Sequence, residues 1–231
     1  MGIIRTLRDY GIFVGMTIVR PVRTSMQAEK RHGAFGLLHI VLFILCLTLQ
    51  YAWNMRDLII NSLQNYPIFQ RVIMSIFVSS GQVLLYILVM MLLNVTVVWL
   101  AVRYVMGIRE VSFLKCAAGI GGMMTFPLVI MLLSLLATWW ISTLVSVLLC
   151  IVALLFLPFA MMYFIIGHYE KSRVDVYWIS ILVFVVVAFI TIEGMILLVQ
   201  LFTANVHQLM AEMHQAIVNW LDTIKARIPT R

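Results

Sequence analysis

Five stretches of about twenty or more mostly apolar residues, separated by short charged loops, constrain this chain more than any other feature. A helix rises about 1.5 Å per residue, so roughly 20 such residues cross the ~30 Å hydrocarbon core of a bilayer. In hydrocarbon every backbone N–H and C=O must be satisfied inside the segment, which leaves a span of this kind the helix. Composition names the same solvent. Apolar residues make up 64% of the 231 and charged ones 11%, against roughly 45–50% and 25% in soluble domains. The expected fold is all-α: a polytopic membrane helix bundle of about five transmembrane helices, with amphipathic N- and C-terminal helices.

The spans read as residues 34–53, 72–102, 116–138, 141–167 and 178–203. The second is longer than a crossing needs, and Ser79, Ser80, Gly81 and Gln82 are the natural place for it to bend. Only Trp139 and Trp140 separate the third from the fourth, which demands a tight antiparallel hairpin at a membrane surface. Ahead of the spans, residues 1–33 set Ile3, Leu7, Phe13 and Ile18 among arginines, the pattern of a basic segment lying in the interface. Pro21 is expected to end or bend it. No cleavable leader is expected: the first apolar run is followed by Tyr51 and Trp53, not by small residues. Beyond the fifth span, Val206, Met210, Met213, Ile217, Trp220 and Ile224 recur at alternating spacings of four and three. This predicts an amphipathic helix over 204–231, suited to the membrane surface or to a protein partner through residues 206–224.

Basic residues set the expected orientation. With the N terminus inside, the cytoplasmic segments carry eleven Lys and Arg and the opposite side five, so the positive-inside rule places the N terminus in the cytoplasm and the C terminus outside a plasma membrane. The net charge of +7 is then a matter of anionic lipid, and no nucleic-acid partner is expected. Cys46, Cys116 and Cys150 lie in or at the edge of apolar segments and read as small hydrophobes. His207 and His214, seven residues apart, are too distant to chelate one metal. The run Ala117-Ala-Gly-Ile-Gly-Gly122 lacks the Lys-Ser or Lys-Thr of a phosphate loop. No catalytic set, cofactor or metal is predicted.

Glu193 is the one acidic residue deep in a span. A carboxylate there costs several kcal/mol unless paired, protonated or hydrated. It is either a proton, cation or ligand site, or a protonated acid hydrogen-bonded to a neighbouring span. It lies about 22 Å above the cytoplasmic end of its helix. The same count along the other spans passes beside Tyr86, near Ser134 and near Ser146, so these three hydroxyls are expected to form a polar layer with Glu193. His39, near the start of the first span, reads as a packing histidine. Ala118 and Gly122 have the small-xxx-small spacing of close helix packing, and Pro127 and Pro158 are candidate hinges.

Around the third span, Gly107-Ile-Arg-Glu-Val-Ser-Phe113, then Leu114-Lys-Cys-Ala-Ala-Gly119 and Pro127, resembles the middle of the Yip (Ypt-interacting-protein-like) family of five-span membrane proteins, with Pro21 similar to the proline those proteins carry before their first span. The resemblance implies a five-helix bundle and a non-catalytic role as a scaffold or adaptor, of bacterial type. Two other functions stay open. One is a permease subunit of a small transporter, with the N-terminal segment as an elbow helix and the prolines as hinges. The other is self-protection (immunity) against a membrane-active peptide.

Overall fold

The computed structural model describes residues 2–24, 33–63 and 69–227, and every regular element among them is helical. Residues 25–32, within the expected interfacial segment, and residues 64–68, with Pro67, lie outside the described residues, as does 228–231. The elements are α1 (Gly2–Val19), α2 (Gly33–Leu63), α3 (Phe69–Leu100), α4 (Phe113–Met123), α5 (Thr125–Trp140), α6 (Thr143–Ile166) and α7 (Val176–Arg227).

Four helices are long and apolar enough to cross a membrane, over Gly33–Asn54, Ser80–Val105, Thr143–Ile166 and Val176–Asn219. A fifth crossing arises if α4 and α5, which meet at a 55° bend, count as one span. The bend has a local cause. Pro127 cannot donate to the Met123 carbonyl, so the ladder breaks at Met124 and restarts with proline in the first turn of α5, where its missing N–H costs nothing. Pro158 lies buried inside α6, which runs through it unbroken. α3 runs as one helix across Ser79–Gln82, where a bend was expected, with no break there. Its only irregularity is at its end, where a π-helical turn over Ala101–Val105 closes with Met106 N–H donating to the Ala101 carbonyl (2.9 Å).

The residues that carry the family resemblance build the connection to α4. Gly107 sits at φ +75°, a conformation that costs a residue with a Cβ, and the Arg173 side chain lies against it. Arg173 N–H donates to the Met106 carbonyl (3.2 Å), joining this loop to the one before α7. Ser112 caps α4, its Oγ accepting from Lys115 N–H (3.3 Å). At the opposite end of the bundle, α5 and α6 form a tight hairpin across Ile141–Ser142, with Ser142 capping α6.

The core is apolar and continuous: Phe43 of α2, Ile87 and Met91 of α3, Met131 of α5, Leu157, Met161 and Phe164 of α6, and Val187 of α7 are all 2% exposed or less. Close approach of α2 and α4 needs glycine. A Cβ on Gly36 would meet the Ala118 carbonyl oxygen at 1.9 Å, and one on Gly121 would meet that of Gly36 at 1.9 Å. Ala118 lies at this crossing together with Gly36 and Gly121. Gly122 is buried one residue further on.

The expected separate C-terminal helix is not separate. α7 runs 52 residues without interruption, about 78 Å, more than twice the hydrocarbon thickness. No glycine or proline at residues 203–206 marks a helix stop there. α1 also departs from a purely interfacial position. Its Phe13 (0% exposed) and Tyr10 pack on Phe35 and His39 of α2. It stops at Val19, ahead of Pro21.

Candidate functional site

Two buried polar clusters and one exposed carboxylate stand out against the apolar bundle. The largest ties the α5–α6 hairpin to α2. Ser134 Oγ donates to the Ser146 carbonyl (2.7 Å), and Ser146 Oγ reciprocates to the Ser134 carbonyl (2.8 Å). Thr138 Oγ1 lies 2.6 Å from Ser146 Oγ. Gln50 of α2, 1% exposed, brings its amide N–H2 to Ser146 Oγ, to Thr138 Oγ1 (3.1 Å) and to Asn54 Oδ1 (3.2 Å). Two hydrogens face three acceptors, so at least one hydrogen is shared between two of them or one contact is left unmade. Its Oε1 is buried without a partner. Over this seam Trp53 stacks on Trp139 (4.5 Å between centroids, 27° between planes), with the Arg56 guanidinium 4.8 Å from the Trp53 ring. Aromatic and basic side chains in such a cluster suit a membrane–water interface.

The second feature is His39, fully buried at the α4–α5 break. Its Nδ1 lies 3.1 Å from the Gly121 carbonyl and 3.1 Å from Thr125 Oγ1, while Thr125 Oγ1 donates to the Gly122 carbonyl (3.0 Å). A carbonyl only accepts, so Nδ1 carries the hydrogen and Nε2 of the neutral ring is a bare lone pair. That Nε2 has no partner. Tyr10 and Phe13 of α1 close over the ring at 5.5 and 5.4 Å, and burial there raises the Tyr10 hydroxyl above its ordinary value of 10.0. The arrangement can accept one hydrogen bond or one proton.

The third is Glu193, and it lies elsewhere than its depth alone suggested. The buried face of α7 runs through Ile179, Val183, Val187 and Thr191, all 5% exposed or less, and seats on α6 and α3. Glu193 is exposed, turned away from the bundle. Among the described residues it forms no hydrogen bond or ion pair, and the Tyr86 hydroxyl of α3 lies beside the adjoining Gly194. That hydroxyl is 3.7 Å from where a Cβ on Gly194 would stand.

The four residues expected in one polar layer thus form two separate pairs. Ser134 and Ser146 interlock beside the hairpin, about 6 Å along α6 from its cap. Glu193 is exposed on the outside of the bundle, next to Gly194, which the half-buried Tyr86 hydroxyl adjoins. Both level and phase separate the pairs: Ser146 bonds Gln50, next to Tyr51, which meets Phe202 nine residues (about 13 Å) along α7 from Glu193, and depth counted along single helices carries no phase. Gln50 was missed, as was Asn94, which is fully buried with neither amide atom bonded. Each was visible as a lone amide in an otherwise apolar run, Leu47-Thr-Leu-Gln50 and Leu92-Leu-Asn94. Among the described residues no three His, Cys, Asp or Glu side chains are placed to hold one metal ion. Comparison with protein-family models, with curated proteins and with solved structures returned no match for this chain.

Proposed function

We propose that this chain is a non-catalytic multi-pass scaffold or adaptor of the plasma membrane, Yip-like in kind, which holds a protein partner or lipid against its bundle. In this reading the N terminus is cytoplasmic and the C terminus outside, as the eleven-to-five division of basic residues favours. The observation that carries it is the direction of Glu193. The one span carboxylate faces away from the interior. The interior polar groups named above are neutral hydroxyls, amides and an imidazole, and most of their bonds knit helices to one another. Such contacts act as glue between spans. A second reading, a permease subunit, is favoured by the 55° break with an unpartnered imidazole nitrogen beside it, since broken spans often line transport sites.

Two measurements separate these readings. Cysteines placed at Gln50, Ser134 and His39 should stay closed to a membrane-impermeant thiol reagent from either side; labelling that switches sides would establish alternating access. Purification in native lipid followed by mass spectrometry should return a protein or lipid companion. A stoichiometric ATPase would overturn the scaffold. A thiol at residue 215 that reacts only from the cytoplasmic side would reverse the proposed orientation.

A further inference from the structure

The exposed side of α7 carries a pattern that the membrane does not explain. Leu182, Val185, Phe189, Ile192, Ile196 and Val199 follow one another at spacings of three and four and are 45–64% exposed. Lipid can cover them. Yet the same register runs on without a slip through Thr203 into the Val206-to-Ile224 series, because α7 is one unbroken helix. From Leu182 to Ile224 the stripe spans about six heptads, twice what suffices to argue a coiled coil. Phe202 of α7 meets Tyr51 of α2 near the Trp53–Trp139 pair, so the hairpin-end surface of the membrane falls close to that level. Residues 206–224 therefore project beyond the hydrocarbon.

The two faces of the helix behave differently on crossing that level. The side that seats on the bundle turns polar, with Gln208, Glu212, Gln215 and Asp222 in the positions that continue it. The stripe stays apolar where no lipid tail can cover it. Water does not tolerate so long an apolar seam on a single helix. α7 is also less enclosed than α2, α3 and α6, with 22% of its apolar window buried inside the bundle against 39% for each of them.

We propose that this stripe is a self-association surface, on which α7 of a second copy of this chain lies parallel and in register. Three observations favour a second copy over another occupant. The partner must offer an apolar seam of the same length that also begins inside the bilayer, which another α7 does. Copies inserted in one membrane share orientation and depth, so the bilayer itself sets the pairing parallel and in register. The stripe from Trp178 to Met210 exposes roughly 900 Å² per copy, comparable with the ~800 Å² that one side of a standard protein interface covers. The pairing also accounts for Glu193. That residue follows a seam position, Ile192, and the flank opposite it in a parallel pair is the small Ala188, so association moves the carboxyl from lipid to a protein seam. The inference does not rest on the scaffold reading, since a permease half could self-associate in the same way.

Disulfide cross-linking of the full chain in its own membranes tests it. Met210→Cys and Ile217→Cys lie on the stripe, and Gln208→Cys and Gln215→Cys lie opposite. The native chain serves as background, its Cys46 and Cys116 buried and Cys150 half-buried. Stripe cysteines should yield dimers roughly fivefold more readily than the opposite pair. Adding Ile217→Asp to Met210→Cys should cut the dimer roughly tenfold. Equal cross-linking at all four positions, none at any, or adducts with a different protein would each overturn the proposal. Because the accessibility of Gln50, Ser134 and His39 is read separately, failure here and failure of the scaffold reading are distinguishable.

Discussion

Gly36→Ala probes the tightest contact in the molecule. The new methyl would stand 1.9 Å from the Ala118 carbonyl oxygen, whereas ordinary van der Waals contact begins near 3.4 Å. The difference, 1.5 Å, must come from moving backbone, because carbonyl oxygens inside helices have no rotamer to change. A gap of even 0.5–1 Å forfeits a quarter to a half of the dispersion well of each contact it opens. Overpacking of this kind costs about 1–3 kcal/mol. The same displacement stretches the His39–Gly121 bond from 3.1 Å to beyond bonding range, costing about another 0.6–1 kcal/mol. Against this, alanine is favoured over glycine inside a helix by about 0.5–1 kcal/mol. The net expectation is a loss of about 0.6–3.5 kcal/mol, centred near 2, read by reversible unfolding in bicelles or by steric trapping. Gly81→Ala is the control: nothing lies within 4 Å of its Cβ position, so only the propensity gain remains and the sign is opposite. If the two variants unfold alike, the helices do not cross at Gly36 and the packing argument is wrong.

Other perturbations address the remaining features. Gln50→Leu removes two donated bonds worth about 0.6 kcal/mol each but also the unpartnered Oε1, so its unfolding free energy should stay within about 1 kcal/mol of native. Gln50→Ala should lose about 2–3 kcal/mol to the cavity left beneath the tryptophans, and a Leu variant as unstable as the Ala variant would refute the account of the seam. Pro127→Ala restores a donor for the Met123 carbonyl and should straighten the α4–α5 pair. Spin labels at Leu114 and Leu136 should then separate from about 29 Å to about 33 Å in a double electron–electron resonance measurement, and an unchanged distance would assign the bend to packing instead. Gly107→Ala forces a Cβ into φ +75° and should cost about 1–2 kcal/mol in the same unfolding assay; a neutral result would mean that the loop relaxes.

The residues by themselves determined the solvent, the helical class and most of the crossings. Hydrocarbon imposes a one-dimensional rule, about twenty apolar residues per span, that can be read along the chain without knowing what any helix touches. The tight turn after Trp140 follows from the same rule, since two residues leave no room for another path. Tertiary structure decided which polar residues meet. Ser134 and Ser146 interlock with Gln50 because α2 lies beside the hairpin, and Glu193 is excluded because α7 presents its opposite face to the bundle. Side-chain meetings depend on the rotation of each helix about its axis. In lipid, where outward and inward faces are both apolar, hydrophobic periodicity carries little record of that rotation. The unbroken run of α7 was likewise hidden, because the end of the bilayer is a property of the solvent and leaves no breaker in the sequence at residues 203–206.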